Sequence, residues 1–189
     1  MQIALYFGSF NPIHVGHLIV AQSVVELSHI DQLWFIVSPQ SPFKEKKSLL
    51  ADRDRLHMVN EAIKDNDQLR SSDIEFTMPK PSYTIDTLVY LNEKFPKHSF
   101  HLTMGGDNLE HLHKWKNYDL LIKDYPIIVY PRPGYHVKEI KEADLTIMDT
   151  SLLNISASQI RKRLKEGLSV KYFLTEPVHK YVMEMSFYK

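Results

Sequence analysis

Cysteine is absent from this chain of 189 residues, which excludes disulfides and every zinc site built on thiolates and suits a reducing, cytoplasmic setting. An excess of charge of either sign is absent too. Lys and Arg together number 23, as do Asp and Glu, so no bulk positive field exists to hold a duplex or an anionic membrane. Neither nucleic acid nor a membrane is therefore expected as a partner, and phosphate specificity has to come from a few local cations. No stretch approaches the ~20 apolar residues of a membrane span, and the first residues lack the charged start and long apolar core of a signal peptide. Repeats, low-complexity tracts and dividing linkers are missing as well. With 43% hydrophobic residues, the expectation is one globular domain over residues 1–189, its oligomeric state left open. Glycine is scarce at six, and Gly8, Gly16, Gly105 and Gly106 fall in only two short stretches.

The first stretch, FGSFNPIHVGH at 7–17, follows the apolar run 3–6 directly. A buried strand running to Phe7, a turn at Gly8 and a proline at 12 ahead of a helix place a strand tip against a helix N-terminus. Its unpaired N–H groups and positive dipole end suit a phosphate. His14 and His17, three apart, share one face of the first helical turn, and Gly16 between them would let a ligand approach. Zinc is disfavoured, because it needs three or four ligands and the chain has no cysteine and no helical HExxH. Histidines without a role are the plainer alternative.

Hydrophobic periodicity predicts strands alternating with helices. Strands are expected at 33–37, 74–78, 100–104, 127–130 and 145–148, and helices at 14–27, 52–64, 84–95, 156–166 and 177–185, with short helical pieces at 109–113 and 118–122. Asp52 suits an N-cap for the second helix, whose apolar face carries Leu56, Val59 and Ile63. Ile85, Leu88, Val89 and Leu91 line the next, and Thr175 or Glu176 caps the last, with Pro177 in its first turn. Such alternation argues for an α/β fold with a doubly wound parallel sheet, helices on both faces, and a ligand at the carboxyl ends of the strands. The chemically rich residues fall there repeatedly: 8–17, the polar loop 38–48, Gly105 to Asp107, and Arg132.

ISASQIR at 155–161 forms a second phosphate-shaped corner. Ser156 and Ser158 stand at a helix start, and Arg161 lies about a turn away. Read alone, an ordinary capped helix with a surface arginine is the better explanation.

Residues 7–17 resemble the HxGH signature of the nucleotidylyltransferase superfamily, whose usual form is close to GG[ST]F[DN]PxHxGH. Phe7 replaces a glycine there, which fits a strand residue. ISASQIR resembles that superfamily's ISSTxIR motif, with Ala157 and Ser158 where serine and threonine are usual. PSYTIDT at 81–87 and the pair Lys114, Trp115 resemble the SYTxDT and KW markers of bacterial nicotinate mononucleotide adenylyltransferases. GGDN at 105–108 resembles their GxD turn, and Lys44 in SPFK their PxxK position.

The resemblance implies a single Rossmann-like domain that transfers the adenylyl group of ATP to nicotinate mononucleotide in NAD biosynthesis, with Mg²⁺ carried mostly on phosphate oxygens and no protein metal cage. It implies catalytic roles for His14, His17, Lys44 and Arg161. ATP would meet Gly8, Ser9, Phe10, Asn11, Gly16, Gly105, Asp107, Arg132, Ile155, Ser156 and Ser158. The mononucleotide would meet Ser82, Tyr83, Thr84, Asp107, Lys114 and Trp115, an aromatic platform for the flat ring with backbone donors for its carboxylate. Nicotinamide mononucleotide or phosphopantetheine as the acceptor, and a nucleotide-binding sensor without catalysis, are the alternatives.

Overall fold

The computed structural model describes residues 1–39, 49–135, 137, 139–149 and 154–189. Its centre is β1 (Gln2–Gly8), flanked by β2 (Gln32–Val37) and β4 (Ser99–Gly105). Outside these lie β3 (Leu69–Ser72) on one edge and β5 (Ile127–Tyr130) then β6 (Leu145–Ile147) on the other. The order is β3-β2-β1-β4-β5-β6 and every pairing is parallel, so the expected α/β sheet is present.

Period-two alternation sends the strands' apolar side chains to both faces. In β1, Ala4 and Tyr6 join one core while Ile3 and Leu5 join the other; in β5, Ile128 and Tyr130 divide from Ile127 and Val129 in the same way. The first face is covered by α1 (Val15–Leu27), α2 (Asp52–Ile63), α6 (Ala157–Lys165) and α7 (Glu176–Glu184). The second is covered by α3 (Thr84–Lys94), α4 (Gly106–Glu110) and α5 (Tyr118–Asp124). Leu5 and Leu88 lose all solvent exposure in the second core. Cutting either to alanine would cost about 2–5 kcal/mol, a large part of the ~5–15 kcal/mol that holds a domain folded.

Four local expectations are corrected. Residues 74–78 are not a strand: Ile74–Thr77 is a 3₁₀ turn, and the third strand is the preceding LRSS at Leu69–Ser72. That strand is an edge with only Leu69 buried, so it lacks the apolar run that marks its neighbours, whereas Ile74 and Phe76 pack from the turn. Asp52 is the first helical residue of α2 and Ala51 its cap; Asp52 pairs with Arg55, which is fully buried where Leu56 is only partly so. Val89 is exposed, and Thr87 takes the buried place on α3. His14 precedes α1 as its N-cap in extended conformation.

Candidate active site

Strand order reverses between β1 and β4, leaving a crevice at their carboxyl ends, where ligands of such sheets bind. Gly8 ends β1 there. A Cβ on it would lie 2.7 Å from the ring of Phe10, so its lack of a side chain accommodates that ring. Phe10 has φ of 44° and is buried edge-on against Tyr6, Phe35 and His17, which leaves its backbone as the part able to meet a ligand. Gly16 works similarly. A Cβ there would come within 3.1 Å of His14 Nδ1, and 3.8 Å from Ile155 at the approach to α6.

Freed by Gly16, the His14 and His17 rings stack, with centroids 3.7 Å apart and planes 24° from parallel. The His14 N–H donates to His17 Nδ1 at 3.2 Å, so the neutral His17 ring carries its proton on Nε2. His14 is 5% exposed, and burial, reinforced by the Arg132 charge, pushes its pKa down to about 4. It is therefore neutral at pH 7. Among the described residues its Nδ1 is buried without a hydrogen-bond partner, as are Asp107 Oδ1 and Arg132 Nε, which face each other 3.6 Å apart as an ion pair. Three such atoms in one crevice mark a place where polar groups are kept for something other than folding.

Beneath them runs a hydroxyl chain. Arg132 Nη2 donates to the Tyr130 hydroxyl at 3.4 Å, which lies 3.0 Å from that of Tyr6, and the Tyr6 ring meets His17 edge-on. Burial, then the neighbouring Tyr130, drives the Tyr6 pKa well up, so this support stays neutral. Gly105 is needed because a Cβ would overlap Asp107 Oδ1 and crowd Arg132.

The two phosphate-shaped corners of the sequence meet here. Arg161 Nη1 donates to the Asn11 carbonyl at 2.8 Å and its Nη2 to Ser158 Oγ at 3.1 Å, while Ser156 Oγ caps α6 by accepting from the Gln159 N–H. Lys44 lies outside the described residues.

The third group forms its own corner. The Lys116 ammonium bonds both Asp86 oxygens, at 2.8 and 3.0 Å, and sits 4.8 Å from the centre of the Tyr83 ring. PSYTIDT is thereby joined to the Lys114, Trp115 stretch. Tyr83 is a third exposed, Thr84 begins α3, Lys114 is exposed, and Trp115 is partly buried against the second core. The Ser82 hydroxyl is turned inward to Glu75 and so is not presented to a ligand.

Sequence reasoning missed Arg55. Wholly buried, it spends its N–H groups on Ser9 O (2.6 Å), Ser38 O (2.8 Å), Leu50 O (3.1 Å), Pro39 O (3.5 Å) and Asp52 Oδ1 (2.6 Å). Burial lowers its pKa, with Asp52 opposing. One guanidinium thus ties the exits of β1 and β2 to the start of α2. An arginine at the core-facing spacing of Met58 and Val59 was the available signal.

A Cytidylyltransferase-like family model matches residues 5–163. A "probable nicotinate-nucleotide adenylyltransferase" of Cytophaga hutchinsonii is 44% identical over 189 residues, spanning 100% of this chain and 98% of that protein. The chain belongs to the nicotinate-nucleotide adenylyltransferase family. A member from Flavobacterium johnsoniae is 43% identical over 192 residues, with both chains fully covered. Among solved structures, Plasmodium falciparum nicotinic acid mononucleotide adenylyltransferase complexed with NaAD superposes with a TM-score of 0.84 at 21% identity, over 99% of this chain and 97% of that one, which establishes the shared fold. Family membership accounts for the separated motifs together, and three of them, at 7–17, 105–108 and 155–161, converge on the crevice in the described residues. Among those residues no helix is long and apolar enough to cross a membrane.

Proposed function

We propose that this protein transfers the adenylyl group of ATP to nicotinate mononucleotide, giving nicotinate adenine dinucleotide and pyrophosphate in NAD biosynthesis. The observation that carries the reading is the full-length relationship to nicotinate-nucleotide adenylyltransferases, with a stacked His14–His17 pair at the point where strand order reverses. We read residues 1–189 as one nucleotidylyltransferase domain.

In this reaction a phosphate oxygen of the mononucleotide attacks the α-phosphorus of ATP in line. The Pα–O bond to the β-phosphate breaks, and pyrophosphate leaves with the electron pair. The incoming oxygen is already anionic, so no protein nucleophile is required, and positioning with charge stabilisation supplies the acceleration. The His17 Nε2–H is a donor for a phosphate oxygen, and neutral His14 adds polarity without adding charge. Arg132, Arg161 and Lys44 neutralise the rest. Backbone N–H groups at the starts of α1 and α6 complete the cradle for ATP.

Nucleotidyltransferases of this kind generally use a divalent metal with ATP, and we assign Mg²⁺. The residues suit a cation brought in on the triphosphate. Among the described residues no three His, Asp or Glu side chains converge, and Asp107, the carboxylate in the crevice, already faces Arg132. When bound, the ion adds positive charge at the leaving pyrophosphate.

The corner holding Tyr83, Thr84 and Trp115 would receive the pyridine ring. Pyrophosphate release from ATP and Mg²⁺, run in parallel with nicotinate mononucleotide, nicotinamide mononucleotide and phosphopantetheine, tests the reading. Preference for the first supports it. Preference for another overturns the pyridine corner and keeps the phosphate chemistry, and silence with all three points to a sensor.

A further inference from the structure

A carboxylate without a catalytic part stands directly behind the pyridine corner. Glu75, in the 3₁₀ turn Ile74–Thr77, is 2% exposed, and among the described residues no cation pairs with it. Its Oε2 accepts the Ser82 hydroxyl at 2.8 Å and its Oε1 the Thr87 hydroxyl, also at 2.8 Å. Both donors are buried, Thr87 completely. They bracket the segment whose outer side carries Tyr83 and Asp86, the two residues engaged by Lys116.

Burying a carboxylate away from any cation is costly, and a well-packed apolar side chain would hold the same volume more stably. What the carboxylate adds is direction. Two oxygens at fixed spacing set two hydroxyls at fixed spacing, and the turn between Ser82 and Thr87 follows. Left alone, the Thr87 hydroxyl has only weaker partners, the Tyr83 carbonyl at 3.4 Å and Met78 Sδ at 3.7 Å.

We infer that Glu75 is a positioning residue for acceptor selection: by holding Ser82 and Thr87 from behind, it fixes Tyr83 and the start of α3 in the attitude that receives the mononucleotide. This rests on the reading of residues 82–87 and Trp115 as the pyridine corner. Glu75→Gln keeps the volume but turns one of the two acceptors into an amide donor, so one of the two hydroxyls loses the oxygen it donates to. Thr87→Val removes one donor at a site with no access to substrate, and Thr87→Ser restores it.

Steady-state kinetics and amide hydrogen exchange of residues 83–87 test the tether together. The expected result for Glu75→Gln, and in smaller measure for Thr87→Val, is a rise of ~10-fold in KM for nicotinate mononucleotide, the size of one lost buried hydrogen bond. KM for ATP should stay within about 2-fold, exchange of 83–87 should quicken, and Thr87→Ser should behave as wild type. Equal rises in both KM values, or an unchanged acceptor KM, would overturn the inference. Should Glu75→Gln fail to fold, Thr87→Val and its serine rescue decide by the same criteria. Failure of the parent reading looks different: the wild type would ignore the mononucleotide. Exchange at 83–87 that stays wild-type in both variants overturns the tether whatever the acceptor.

Discussion

The Tyr188 hydroxyl donates to Asn11 Oδ1 at 2.6 Å, joining residues 177 positions apart. The same oxygen accepts the Leu50 N–H at 3.3 Å, and the Asn11 carbonyl accepts Arg161. One residue of the FNPIHVGH loop is therefore gripped from α6, from the approach to α2 and from the segment after α7. Burial raises the Tyr188 pKa, so the phenol remains a donor at physiological pH. Tyr188→Phe keeps the ring and deletes the grip. The expected loss is about 1–2 kcal/mol, or roughly 2–8 °C in Tm for a chain of this size. KM for ATP should rise more than KM for the acceptor. Calorimetry with a two-substrate KM comparison checks both, and equal KM effects would reduce the contact to fold support.

The depressed pKa of His14 couples stability to pH. In the unfolded chain the ring protonates near 6.5, whereas in the folded protein it resists until about 4. The folded state thus binds fewer protons between those values, and its stability is fully present above 6.5 and falls as pH drops toward 4. The upper bound is about 3 kcal/mol at 1.36 kcal/mol per unit. Urea unfolding at pH 7.5, 5.5 and 4.5 should trace this decline, and His14→Asn should flatten it. A variant profile parallel to wild type would assign the slope elsewhere.

His17→Ala should lower kcat by ~10²–10³, the usual effect of deleting one donor from developing phosphoryl charge. The fold should persist, because the ring is only partly buried, and its edge-on contacts with Tyr6 and Phe10, its stacking on His14 and the bond from the His14 backbone N–H are added to a core already closed beneath it. Wild-type turnover in a folded variant would remove His17 from the chemistry.

Gly8→Ala tests the packing beneath the histidines. The new methyl would drive into Phe10, whose ring has Tyr6, Phe35 and His17 around it. Overpacking of this kind costs about 1–3 kcal/mol. Because the displaced ring leans on His17, activity should fall further than stability at permissive temperature. Thermal melts beside kcat separate the two, and a fall in Tm with kcat intact would confine Gly8 to folding.

The central strands and the larger helices were legible because their apolar periodicity is strong and both faces of the sheet are buried. β3 was not, since an edge strand with one buried residue carries no such pattern and the adjacent apolar turn outcompetes it. His14, His17, Asn11, Arg132 and Arg161 were legible as short-range chemistry at strand and helix ends. Arg55, Glu75 and Tyr188 were not, because each acts on a partner that local patterning does not reveal: backbone carbonyls, hydroxyls seven and twelve residues on, and an amide at the far end of the chain. Gly8 was noticed for a turn and Gly16 for the approach of a ligand, and the sequence did not show that a side chain at either would also collide with Phe10 or His14.

Among the described residues, four of the five acceptors around Arg55 are main-chain carbonyls. Such a hub is blind to side-chain identity: residues 9, 38, 39 and 50 can drift in sequence without altering what it grips. The tolerance is one-sided, since a lysine at 55 offers three donors from a single point and cannot span the same carbonyls. Variation in those loops should be abundant, and variation at the arginine rare.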